Sequence, residues 1–171
     1  MMLGVVARRV PPRAVHQTTA ALRLARRALS GAVPPRAVHQ TTFGRKGNAL
    51  QAAFASVLDL DMDAVPNFID SDDYMAAINA FLAPRGLAFL RVDCDGATVP
   101  LALDGAACLV VGQSPLGIRQ VCVGRTRLAD GASCAVDVLH DPHPESHGLV
   151  DGSLAWAGIF VALRPGDGSV A

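Results

Sequence analysis

The sequence predicts an α+β domain in which N-terminal helices are followed by a mostly antiparallel β-sheet. Two segments between residues 48 and 83 carry apolar residues at helical spacing. Five apolar runs then follow, each bounded by Gly, Asp or Pro. Nothing in their connections demands a parallel sheet, and helices followed by a series of strands define the α+β class. The first helix is expected at about 48–58, with Asn48 in the N-cap position and Leu50, Phe54, Val57 and Leu58 on one face. "DMDAVPNF" is a turn-rich link. The second helix is expected to start at Ser71, where Asp72 and Asp73 complement the positive helix end. Met75, Ile78, Phe81 and Leu82 keep its spacing and "APRG" stops it. The expected strands are "LAFLRVD" (87–93), "ACLVVG" (107–112), "RQVCVGR" (119–125), "CAVDVLH" (134–140) and "WAGIFVAL" (155–163).

Charge divides the chain. Residues 1–46 hold nine basic side chains and no acidic one, and the first carboxylate is Asp59. From residue 47 onward, six arginines face fifteen acids, a net −9. The organisation expected is a basic leader over 1–35, a folded domain over 36–165 and a flexible tail over 166–171. Within the leader, "TTAALRLARRALSGA" is expected to form a short helix with Arg23, Arg26 and Arg27 clustered on one side. Such a segment reads as a mitochondrial transit peptide, with plastid import as the runner-up. The other reading is a basic arm that binds RNA or an acidic partner. That reading fails if the mature chain begins near residue 33–40, because the acidic remainder repels phosphate. No membrane span is expected, since no apolar run approaches the roughly 20 residues that one needs.

Cys94, Cys108, Cys122 and Cys134 are spaced twelve to fourteen residues apart with no CxxC pair. They read as small buried hydrophobes rather than as a disulfide framework or a zinc knuckle. One repeat stands out. "VPPRAVHQTT" occurs at 10–19 and again at 33–42. Two Pro-Pro copies cannot stack into a solenoid, so a duplication across the leader–domain junction is expected, with the second copy belonging to the domain.

Three places carry candidate chemistry. A Gly-Asn pair leads into the first helix, where backbone N–H groups and the helix dipole activate a thiol, yet the residue presented is Ala49. "VGQSPLGIRQVCVG" feeds a strand into a loop-bordered cleft, and Gln120 stands where a hydrolase would place a histidine base. "LHDPHPESHG" holds His140, Asp141, His143 and His147. Its prolines and glycine make it a loop, and its spacing differs from the helical i, i+4 zinc motif. No metal or cofactor is therefore expected, and Asp141 is expected to hydrogen-bond backbone or to orient a neighbour.

Together "QTTFGRKGNALQAAFASVLDLDMDAVPNF", "GQSPLGIRQVCVGR" and "VLHDPHPESHGL" resemble small bacterial and phage proteins of the papain-like cysteine-peptidase fold, over roughly Gln40 to Leu149. The resemblance implies an oxyanion-stabilising role at Gln40 and a base-orienting role at Asp141. It also implies that Ala49 replaces the nucleophilic cysteine and Gln120 the histidine. What it leaves is a vestigial site of Gln40, Ala49, Gln120 and Asp141, with no catalytic residue. Losing nucleophile or base typically costs on the order of 10⁶-fold in hydrolysis.

The function expected is a catalytically inactive papain-like domain imported into mitochondria. There it would serve as an accessory subunit among the protein subunits of a larger assembly, such as a respiratory complex, ATP synthase or mitochondrial ribosome. The alternatives are a pseudoenzyme whose cleft (Gln40, Gln120, Asp141, His140) holds a peptide or small ligand, and a hydrolase whose nucleophile has relocated to Cys122.

Overall fold

A computed structural model describes residues 36–44 and 46–163 of the chain. The leader, the first repeat copy and the C-terminal tail lie outside those residues. Helix α1 spans Ala49–Leu58 and α2 spans Tyr74–Leu82, with short 3-10 turns at Met62–Ala64, Phe68–Asp70 and Ala83–Arg85. Strands β1 (Leu87–Gly96), β2 (Ala107–Gln113), β3 (Arg119–Leu128), β4 (Cys134–His140) and β5 (Leu154–Ala162) follow. They form one sheet in the order β1-β5-β2-β3-β4, and every pairing is antiparallel. The α+β class with helices first and an antiparallel sheet after them is what the chain adopts.

Sequence expectation and structure differ at both helix starts. Asn48 precedes α1 but caps nothing with its side chain. Its Oδ1 instead accepts from Thr41 N (2.9 Å) and Thr42 N (3.0 Å), and its Nδ2 donates to Thr41 Oγ1 (3.0 Å). The tight turn at Gly47 brings those amides within reach. A Cβ on Gly47 would sit 3.0 Å from the carbonyl oxygens of both Gly44 and Thr42. Helix α2 begins at Tyr74 rather than Ser71. Ser71 N closes the preceding 3-10 turn on Phe68 O (3.1 Å), so capping passes to Asp73, whose carboxylate accepts from Ala76 N (2.9 Å). β1 and β3 each run three residues beyond their expected ends.

The strand alternation sorts two apolar layers. Leu87, Phe89, Leu109, Val111, Val121, Val123, Trp156 and Phe160 face α1 and α2. Cys108, Val110, Cys122, Ala157 and Ile159 form the opposite layer, closed by Val99 from the β1–β2 connection. Helix α1 is buried around most of its circumference. Its alanines leave room for close approach where larger side chains would not fit. At the centre of the first layer, Phe54 meets Phe68, Phe89 and Phe160 at ring-centroid distances of 5.0, 5.1 and 5.5 Å.

Gly158 sits in β5 between Arg91 of β1 and Leu109 of β2, and a Cβ there would overlap the Phe89 ring. The missing side chain is what lets that ring lie flat on the sheet. Gly158→Ala is expected to cost about 1–3 kcal/mol through overpacking. Urea titration should read this as a lower midpoint at unchanged slope.

Candidate functional site

A cleft of about 620 Å³ opens where the start of α1 meets the ends of β2 and β3. Leu50, Ile69, Val111, Val121 and Trp156 form its apolar wall. Gln40, Ala49, Tyr74, Arg91, Arg119, Gln120 and His143 also border it. Three of the four residues singled out from the sequence, Gln40, Ala49 and Gln120, therefore share one cavity. The fourth, Asp141, is set behind it.

Gln40 arrives on a strap over α1. Val38 N donates to Ser56 Oγ (3.1 Å), Gln40 N donates to Pro142 O (2.9 Å), and Asn48 gathers Thr41 and Thr42. Residues 36–42 of the second repeat copy are thus bonded into the domain. Ala49 opens α1 half-buried, and its methyl is the side chain that the helix start offers to the cleft.

Gln120 lies near the start of β3 with 6% of its surface exposed, and Asp141 is equally buried. Gln120 Nε2 donates to Asp141 Oδ2. The same carboxylate accepts from His143 N on Oδ1 (2.8 Å) and from Gly148 N on Oδ2 (2.8 Å). One buried anion thus ties β3 to the two ends of the 143–148 loop. With Nε2 so engaged, Gln120 Oε1 is left as a buried acceptor without a partner among the described residues. A buried acceptor in that condition costs about 1–3 kcal/mol.

His140 does not join the cleft. It pairs with Val123 across the sheet, and its Nε2 lies 2.9 Å from Val38 O. The carbonyl can only accept, so Nε2 carries the proton. His143 does border the cleft, with its ring edge-on to Phe43 at 5.4 Å. At the rim, Arg91 donates to Asp93 (2.9 Å) and to Tyr74 Oη (3.1 Å), and its guanidinium lies 5.3 Å from the Trp156 ring. Those partners raise the Arg91 pKa. Arg119 is exposed and makes no ion pair among the described residues.

Cys122 shares its side of β3 with Gln120 by strand alternation but packs in the layer remote from α1. Burial, and then the charge of Asp141, push its thiol up to about 12, and burial does the same for Cys108. Both thiols are neutral near pH 7. Their folded values stand above the ordinary 9.0, so the stability they contribute is fully present below pH 9. It is lost as pH rises toward about 12. At pH 7.5 both should resist iodoacetamide in the folded chain and react once it is unfolded. Stoichiometric labelling of folded Cys122 would contradict this.

The sequence reading missed Glu145, Arg91 and Trp156. Glu145 alternates with His143 and His147 in "HPESH", and side-chain ligand atoms of the three lie within 4.8 Å of one another. That i, i+2, i+4 alternation was readable. Arg91 and Trp156 come together only because β1 pairs with β5, and no local signal marks them. Comparison of the chain with family models, curated proteins and solved structures found no match.

Proposed function

We propose that this chain is a catalytically silent, papain-like α+β domain whose cleft holds a ligand without cutting it. The observation that carries the reading is the cleft itself. Gln40 and Gln120 border it, Asp141 grips Gln120 from behind, and a methyl group stands at the helix start where a nucleophile would act. An apolar wall with a few convergent polar groups is the usual make-up of a binding pocket. Without a nucleophile and base, hydrolysis is lower by on the order of 10⁶-fold. The basic, acid-free stretch over residues 1–46 supports delivery to mitochondria.

Amide hydrogen exchange tests this directly. A library of N-acetylated hexapeptides should contain members that slow exchange at Ala49–Leu58 while remaining intact by mass spectrometry. Cleavage of those peptides, abolished by blocking a thiol, would overturn the reading.

A second reading, an accessory subunit of a larger mitochondrial assembly, is favoured by β4. It is an edge strand of the sheet, and it exposes Val138 (45%) and Leu139 (39%) side by side. Edges of that kind pair readily with another chain. Native gels of purified mitochondria should then show the protein migrating with a large complex, and a free matrix monomer would count against it.

A further inference from the structure

The loop after β4 carries a feature that ligand holding in the cleft does not use. We propose that His143, Glu145 and His147 form a binding site for one divalent transition-metal ion of the zinc class at the cleft rim. Side-chain ligand atoms of the three residues lie within 4.8 Å of one another, and His147 Nε2 is already 2.8 Å from Glu145 Oε2. A tetrahedral zinc ion with bonds of about 2.0–2.1 Å holds its ligand atoms roughly 3.3 Å apart. The ligand atoms need close by no more than about 1.5 Å to reach that arrangement.

The backbone is fixed beforehand. Asp141 accepts from His143 N and Gly148 N, both at 2.8 Å, and Ser146 N donates to His143 O at 2.8 Å. Ser146 takes a left-handed conformation, φ 49°, which is unusual for a residue with a side chain. The turn so made puts residues 143, 145 and 147 on one outer side. The imidazoles of His143 and His147 lie 5.2 Å apart at a 37° tilt. Among the described residues, a long 3.3 Å contact from Glu145 N is the one hydrogen bond on the His143 ring, so little is lost when a metal replaces it.

Two imidazoles and a carboxylate form a donor set that zinc takes when a fourth position stays open to water or ligand. His143 also borders the cleft, which sets the three residues at its rim. The −9 charge from residue 47 onward favours a cation there. The site stands whether or not a ligand fills the cleft.

The test uses the full chain, stripped with a chelator and titrated with Zn²⁺ by calorimetry at pH 7.5. One equivalent should bind, at least tenfold more weakly after Glu145→Ala or His147→Ala and unchanged after His39→Ala. Unaltered wild-type protein loaded with Co²⁺ should show the visible bands of a tetrahedral ion without thiolate-to-metal charge transfer. Absence of one-equivalent binding, equal affinity in the Glu145→Ala and His147→Ala variants, or a thiolate band would overturn the proposal and leave Glu145 and His147 as a surface ion pair.

Discussion

Changing Ala49→Cys and Gln120→His together should produce a chain that hydrolyses an activated ester through a covalent acyl-enzyme, far faster than either single variant. The start of α1 supplies free N–H groups and the positive end of its dipole, and both stabilise a thiolate. Gln120 Nε2 already donates to Asp141. An imidazole in that place has its Nε2 at similar reach, so it keeps the Asp141 bond and leaves Nδ1 to take a proton. Gln40 already borders the cavity and can assist a developing oxyanion. Nucleophile and base act as a unit, so the double variant should exceed either single one by roughly 10²–10³-fold, part of the ~10⁶ that a mature site provides. Ala49→Cys alone should give a thiol that iodoacetamide labels faster than Cys94, whose pKa burial raises. A double variant that hydrolyses nothing, with its new thiol no faster than Cys94, would mean that the two positions do not address each other.

Removing the Asp141 carboxylate should be the most damaging single change outside the aromatic core. Asp141→Ala strands one buried donor, Gln120 Nε2, and two part-buried ones, His143 N and Gly148 N. Each costs about 1–3 kcal/mol when left unpaired, and water entering the loop recovers part of that. We expect a loss of about 2–4 kcal/mol, with the melting temperature falling by about 7–15 °C. Asp141→Asn keeps one acceptor oxygen and should cost about half as much. Amides of residues 143–148 should lose exchange protection before the sheet does. A loss below about 1 kcal/mol, with that loop still protected, would show that the carboxylate is not the anchor.

Much of the fold was legible locally. Leu109, Val111, Val121 and Val123 alternate with Cys108, Val110 and Cys122, and that period of two marks strands whatever they pair with. The errors fell at caps. Asn48, Ser71 and Asp73 are all good N-cap types, and the choice among them depended on where other amides lay. Thr41 and Thr42 claimed Asn48, and Phe68 claimed Ser71. Of the site, Ala49 at the helix start and Gln120 near the strand start were visible in the sequence. The turning of His140 toward Val38 was not, because a strand's alternation gives sides but not what covers them.

By itself the sequence determined the helix–strand order, the antiparallel class, the charge split between residues 1–46 and the remainder, and the methyl at the helix start. These are properties of residue type and short-range periodicity. Only the tertiary structure decided that β5 inserts between β1 and β2, joining Arg91 to Trp156. The same holds for Asp141, which folds the loop after β4 back so that His143, Glu145 and His147 converge beside the cleft. Such meetings are set by which distant segments bury one another's apolar faces and satisfy one another's donors, and the neighbours of a residue in the chain carry no record of that.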